Sequence, residues 1–391
     1  MSKIEKNSEI YLNMKFDPSA ENGTFNHDSD RHTNYNEIIT KDKYIYKDKS
    51  NIIRSYNTQP EGSKKNEEFL FEVDKNINSF ILIRKKGFIK KIDYYFWYVV
   101  NSDSNIIGIT NDDYYLLEND IIKIGNVKYI VREIKIRNQK NKNDEINHNL
   151  KVIDDEDMEK EFLSLNPPVL DCKKCEDCGC LMVKICECHQ FEHFKCIKKY
   201  INENLIIREN SKKAFRYYIY KCEECNTCVP LKFKLDIKES FEAKLNDDDK
   251  GPLKFNKDED KLLYFIEINK PNDCDYLLLE SFEYVDCQNS RAKKSIHIIK
   301  LTEEEDIKIG SDKQNDVIVD HSFVCPKHAI IKYHNGKLLL KNLSKTYGTS
   351  VFIPKFEINI TQKKISLQID KIFLEAQVII KQDSNEEGDT K

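Results

Sequence analysis

Short runs of alternating apolar and polar residues dominate two stretches of this chain. From Phe69 onward FLFEV, SFILIRKK, DYYFWYVV, NIIGIT, YYLL, DIIKIG and KYIVREIKI follow one another. Each is β-branched or aromatic and is bounded by Asn, Asp, Lys or Gly, which predicts strands and an all-β domain over 67–138. Glu118-Asn119-Asp120 supplies turn residues between two of these runs. Trp97, the only Trp, reads as core. A second series starts near Leu262 and runs from LLYFIEI to KIFLEAQVII. Its density of short strands predicts a β-sandwich over 261–381. A weak internal repeat links the two series. DIIKIGNVKYIVREI near the end of the first parallels KISLQIDKIFLEAQVII at the end of the second.

The remaining segments lack a clear period. Residues 1–66 are rich in Asn, Lys, Asp and Ser and are expected to be largely disordered. Residues 139–168 read as a charged linker, 233–260 as a further linker or loop, and 382–391 as an acidic, solvated tail. Between the linkers, 169–232 form a cysteine-rich module.

The chain has 391 residues. At roughly 150 residues per domain this suggests two or three domains. With 63 basic and 67 acidic residues, net −4, no polybasic character is present and no nucleic-acid partner is expected. No apolar run approaches the ~18 to 20 residues needed to span a bilayer. The start, MSKIEKNSEIYLNMKF, has no apolar signal core. The expectation is a soluble intracellular protein, cytoplasmic or nuclear, with no membrane partner. Walker, Rossmann, G-x-S-x-G and kinase motifs are all missing, so no catalytic residue is predicted.

The cysteines change the picture. Of 13, ten lie between Cys172 and Cys228. In a reducing compartment such a cluster points to metal rather than to disulfides. The spacing Cys172-x2-Cys175-x10-Cys186-x1-Cys188-x4-His193-x2-Cys196-x25-Cys222-x2-Cys225 offers four ligand pairs. Zinc takes four N or S ligands, so four pairs predict two zinc ions. Cys175/Cys178 is a rival first pair, His189 rivals Cys188, and Cys180 and Cys228 are surplus.

That order of four Cys, one His and three Cys resembles the RING-CH (RINGv) variant of the RING finger. HFKCIKKYI resembles the family's helix start, and KCEECNT its last knuckle. The resemblance implies a cross-brace, with Cys172, Cys175, His193 and Cys196 on one ion and Cys186, Cys188, Cys222 and Cys225 on the other. It also implies ubiquitin ligation through a ubiquitin-conjugating enzyme. The family contacts that enzyme through an apolar first knuckle, a helix Trp and a Pro after the last knuckle. Here those places hold Lys173-Lys174, Tyr200 and Cys228, with Tyr200 equally readable as core.

Residues 307–353 resemble a forkhead-associated (FHA) domain. The resemblance rests on Ile309-Gly310, Asn315-Asp316-Val317, His328-Ala329, Leu340 to Leu343, Ser344 and Gly348-Thr349. It implies a β-sandwich that binds phosphothreonine peptides through loops at one end. The family's gripping Arg is Ser311 here, its phosphate-binding Ser is Cys325, the next Arg is Pro326, and its peptide-holding Asn is Tyr347. Without the guanidinium, bidentate phosphate bonds are lost, and a thiol is a weak donor. Lys313 and Lys327 are the nearby cations. The candidate peptide-binding set is therefore Ser311, Lys313, Cys325, Lys327 and Tyr347, with phosphate specificity not expected. Through YYLLENDIIKIGNVKYIVREI the first β segment looks FHA-like too. The layout resembles proteins expanded in ciliate protists.

The fold class expected is mainly β, with two FHA-like β-sandwiches flanking a small zinc-binding α+β module. Two functions follow. The first is a zinc-binding protein–protein interaction scaffold that uses FHA-type surfaces. The alternative is a RING-type ubiquitin ligase whose FHA domain selects substrates.

Overall fold

The computed structural model describes residues 8–17, 25–26, 29, 31–48, 52–58, 67–75, 80–83, 96–100, 114–137, 169–186, 188, 190–203, 206–209, 214–218, 224–225, 232–245, 251–259, 261–265, 270–281, 295–303, 305–353, 357–360 and 364–380. The expected linker at 139–168 falls outside them apart from its neighbours, as does the tail at 382–391.

Strands begin well before Phe69. β1 (Ser8–Phe16), β2 (Thr33–Ile39), β3 (Lys43–Asp48) and β4 (Ile53–Tyr56) lie within the stretch expected to be disordered. That expectation is corrected here, and the reason is local. In β1 the residues Ile10, Leu12, Met14 and Phe16 alternate with polar ones and are all buried. The period of two was present, but the Asn- and Lys-rich composition around it hid it. The series continues with β5 (Glu67–Lys75), β6 (Phe80–Ile83), β7 (Phe96–Val99), β8 (Tyr114–Tyr115), β9 (Ile121–Ile124) and β10 (Val127–Lys135).

The cysteine-rich module follows. It contains β11 (Val169–Lys174), β12 (Leu181–Val183), β13 (Glu192–His193), α1 (Phe194–Glu203), β14 (Ile206–Glu209), β15 (Ala214–Tyr218) and β16 (Lys232–Asp236). It continues through β17 (Phe241–Ala243), β18 (Leu253–Phe255) and β19 (Leu262–Tyr264). Phe233, Leu235, Ile237, Ala243, Phe255 and Phe265 join Phe194, Ile197 and Ile201 of α1 in one core. The expected linker at 233–260 is thus part of the module, and its buried aromatics are what hold it there. No helix among the described residues is long and apolar enough to cross a membrane.

The last strands are β20 (Tyr276–Ser281), β21 (Ser295–Lys300), β22 (Ile307–Gly310), β23 (Val317–Ile318), β24 (Ala329–His334), β25 (Lys337–Asn342), β26 (Thr349–Ile353), β27 (Glu357–Ile360), β28 (Ile365–Ile369) and β29 (Ile372–Ile380).

Strand pairing shows two sandwiches, but they are not the contiguous segments 67–138 and 261–381. In one, β2-β1-β29-β28-β7 faces β4-β3-β5-β6-β27. In the other, β21-β20-β10-β9-β26 faces β23-β22-β24-β25-β8. The order is the same in both. Each is built from seven consecutive strands of one half plus three borrowed from the other half: β27 to β29 complete the first, β8 to β10 the second. The halves differ at one pair, since β3 and β4 are antiparallel whereas β22 and β23 are parallel. The two repeat segments noted in the sequence are the borrowed hairpins β9–β10 and β28–β29.

The sandwiches join where β7 pairs antiparallel with β26. Tyr98 lies opposite Val351 at this seam, and each also faces a borrowed hairpin, at Leu367 and Ile122 respectively. Lys123 and Gln368, one residue further along equivalent strands, meet across it with Nζ donating to Oε1 at 3.1 Å. The apolar faces of both sandwiches form one continuous core, from Ile10 to Val378. Only 354–356 separate β26 from β27. A connection of three residues leaves little chain for folding back, the usual condition for strand exchange.

The module is an insertion between β10 and β20, which pair with each other at Lys135 and Tyr276. Its two ends therefore emerge side by side. Asp275 clasps them. Its Oδ1 accepts from the Arg137 amide at 3.0 Å, and its Oδ2 from the Tyr333 hydroxyl at 2.7 Å.

Candidate functional site

Two groups of potential metal ligands form in the module. Cys175, Cys178 and His193 converge in one, and Cys186, Cys188 and Cys225 in the other, with the ligand atoms of each group within 4.8 Å of one another. The groups interleave along the chain, the alternation a cross-brace requires. Local structure explains the first. β11 ends at Lys174, and the chain then closes a tight loop in which the Cys175 amide donates to the Cys180 carbonyl at 2.8 Å. Within it the Gly179 amide reaches the Cys175 carbonyl at 3.1 Å. Gly179 takes φ +71°, a conformation that suits glycine. This loop aims Cys175 and Cys178 together, and Cys178 Sγ lies 3.3 Å from His193 Nε2.

Among the described residues Cys172 is in neither group, and the first trio contains the rival first pair, Cys175/Cys178. Cys172 sits on β11, opposite Val183, where the chain is extended. Its thiol donates instead to the Asp236 carbonyl at 3.3 Å. Burial pushes that thiol up to about 11. In contrast, the Cys178 amide, with His193 next in weight, holds the Cys175 thiol down to about 7.

In the second group Cys186 Sγ and Cys188 Sγ lie 3.2 Å apart. Cys225 joins them, while Cys222, Cys228 and His189 lie outside the described residues. Cys196 is exposed on the first turn of α1 and is not drawn into the first trio. A tetrahedral zinc with Zn–S bonds of ~2.3 Å sets neighbouring sulfurs ~3.8 Å apart, so both trios have a spacing and donor chemistry compatible with such an ion. Tyr200 on α1 is 49% exposed, and Lys173 lies over the Phe191 ring at 4.6 Å.

The second site is the loop end of the sandwich that carries β22 to β26. Three loops are drawn together there by backbone bonds. The Ser311 amide donates to the Cys325 carbonyl at 3.0 Å and the Asp312 amide to the Pro326 carbonyl at 3.3 Å. Gly310 permits this approach, because a Cβ there would stand 2.2 Å from the Pro326 carbonyl oxygen. Buried Asn315 adds bonds from Nδ2 to the Asp312 and Pro326 carbonyls at 2.9 and 2.6 Å. The Cys325 thiol meets the Ser344 hydroxyl at 3.2 Å, and Ser344 Oγ accepts from the Tyr347 amide at 3.1 Å. Tyr347 packs edge-on against Phe323, with ring centroids 5.2 Å apart.

Fully buried His328 ties these loops to the borrowed hairpin. Its Nδ1 accepts from the Cys325 amide at 3.0 Å, which leaves the proton on Nε2 to donate to the Gly348 carbonyl at 2.8 Å. The Gly125 amide, in the β9–β10 turn, reaches the same carbonyl at 3.3 Å. Burial pushes His328 down to about 4, so it is neutral at pH 7. Of the candidate residues, Ser311, Cys325 and Tyr347 thus hold the loops, while Lys313 and Lys327 are exposed on them. Lys345 is a third exposed lysine, on the β25–β26 loop. Sequence reading placed Asn315 in the family motif but gave no role to it, to Asn342 or to Gly125. Asn342 Oδ1 takes hydrogen bonds from the Ser344 amide and the Thr349 hydroxyl, both at 3.1 Å. The signal for Gly125 was a Gly-Asn turn between alternating strands; its contact with distant loops left none.

Comparison with known families gives one match: residues 307–370 match the FHA domain model. No curated protein and no solved structure matches the chain. The matched stretch starts at β22 and ends just after β28, so it crosses from one sandwich into the other. That segment is similar to FHA domains, which supports a role in protein–protein interaction, and the interleaved cysteine groups of the inserted module are compatible with bound zinc.

Proposed function

We propose that this chain is a zinc-stabilised protein–protein interaction scaffold, with partners docking on the loop end of its FHA-like sandwich. The observation that carries this reading is the pre-set loop end. His328, Asn315, Asn342 and Ser344 lock three loops by side-chain bonds, while Lys313, Lys327 and Lys345 are left facing solvent. Pre-organised loops bind without the ordering cost that mobile ones carry. Two zinc ions, one per cysteine group, would be closed and structural, contributing folding energy. The ligands within the described residues are Cys175, Cys178 and His193 on one ion and Cys186, Cys188 and Cys225 on the other, with Cys196 and Cys222 as the fourth ligands.

Zinc stoichiometry by native mass spectrometry tests the metal half. Two ions per chain are expected, one after Cys178→Ser, and two still after Cys172→Ser. Loss of an ion on Cys172→Ser would reinstate the original ligand pair. The interaction half is tested by comparing partners captured by the parent with those captured by a Lys313→Glu/Lys327→Glu variant. Equal capture would remove the loop end from the reading. Threonine-phosphopeptide arrays are expected to show no enrichment over unphosphorylated peptides.

Exposed Tyr200 favours the alternative, because the RING-CH resemblance places there the aromatic that meets a conjugating enzyme. Ubiquitin chains formed with a panel of such enzymes, and abolished by Cys225→Ser, would replace the scaffold reading with ligation.

A further inference from the structure

The longest gap between ligand pairs, from Cys196 to Cys222, contains the hairpin β14–β15. It leaves α1, just after His193, and leads toward Cys225. Yet its partner is not in the module. β15 runs antiparallel to β21 over five residue pairs, from Ala214 opposite Ile299 to Tyr218 opposite Ser295. β14 in turn pairs with β15 and forms the outer edge of the long sheet. A segment bracketed by the two cysteine groups therefore supplies the last two strands of the FHA-like sandwich's sheet.

A second link is apolar. Leu277, Leu279 and Ile299 of β20–β21 point into the sandwich core. Their alternates Tyr276, Leu278, Ile296 and Ile298 point the other way, into the core that Phe194, Ile197 and Ile201 of α1 share with Phe233 and Phe265. β20 and β21 are thus buried on both faces, one by the sandwich and one by the module. β21 then leads into β22 and the Ser311 loop.

We propose that metal occupancy of the two cysteine groups governs the β20–β21 end of the FHA-like sandwich. With metal bound, α1 and the β14–β15 hairpin are held against it; with metal lost, both release, opening the edge and outer face of β21. This rests on the metal reading above. The module's strands β12, β13 and β17 to β19 have only two or three residues each, too few to stand alone. Its order depends on its core and on the two ligand groups, and structural zinc sites supply folding energy outright. Coupling of this kind is reciprocal, so loosening the hairpin must also weaken metal binding.

Hydrogen exchange on the full chain, zinc-loaded and after chelation, tests this, with metal content followed by native mass spectrometry. Peptides covering 206–218 and 295–300 are expected to exchange about tenfold faster or more without metal, while β1 and β29 are unchanged. Arg216→Pro removes a ladder amide from β15 without touching a ligand, and is expected to weaken zinc binding about tenfold. If chelation empties both groups and 295–300 exchange as before, the coupling is wrong while the metal reading stands. If the loaded protein never contains metal, both fall. The chelation arm decides even if Arg216→Pro does not fold.

Discussion

His328 shows how one buried side chain can hold distant parts of the chain. Its folded-state value of about 4 lies below the ordinary 6.5, so between those values the unfolded chain binds the extra proton. Its contribution is present at pH 7 and is lost as pH falls toward 4, by about 3 kcal/mol in the limit. Asp120, pushed up to about 7 chiefly by burial, titrates with the opposite sign in the same window. The parent's pH curve alone therefore mixes the two. We expect His328→Asn to be less stable than the parent at pH 7, with the difference in Tm shrinking on acidification; a constant difference would count against a neutral buried imidazole. Gly125 makes a second residue-scale case. It has φ +60°, and a Cβ there would lie 2.0 Å from the Phe323 carbonyl oxygen. Gly125→Ala should cost about 2 kcal/mol or more in urea unfolding.

Strands β27 to β29 and β8 to β10 are the elements that decide the architecture. Their alternation marks them as half-buried hairpins, and so does their likeness to each other. Alternation says which face is apolar, but not which sheet receives it. β27 pairs with β6 of the other half, although only three residues separate it in the chain from β26. A fragment of residues 276–391 carries both β20–β26 and β27–β29. We expect it to exchange hairpins between two copies and to run as a dimer by light scattering. A cooperatively folded monomer would show that the short connection permits closure. The cysteine module teaches the same lesson at shorter range. C-x2-C spacing recurs at Cys172/Cys175, Cys175/Cys178, Cys222/Cys225 and Cys225/Cys228, and of the first two only Cys175/Cys178 brackets a turn.

At the scale of the molecule, the chain enters and leaves the insertion through one neck, where β10 pairs with β20. Asp275 accepts from Arg137 and Tyr333, while Tyr276 and Lys270 both reach Glu133. Asp275→Ala leaves these donors without their carboxylate acceptor and should cost about 1–3 kcal/mol. Faster hydrogen exchange at 133–137 and 270–276, with β1 unaffected, is the expected signature. A uniform loss across the chain would argue that the neck is no separate unit.

Period-two alternation, the cysteine spacing and the FHA motif around Ile309 to Thr349 are local properties, carried by neighbouring residues. From them the β class, a metal-capable module and an FHA-like segment could all be read in the sequence. The strands before Phe69 were legible in principle, as Ile10, Leu12, Met14 and Phe16 show, but polar composition outweighed them. Three matters came only from tertiary structure: which half receives each hairpin, which cysteines lie close enough to share an ion, and that the module packs on β20–β21. Each depends on contacts between residues far apart in the chain. Local alternation is equally satisfied by either partner, so only chain connection, turn geometry and the shared core select among them.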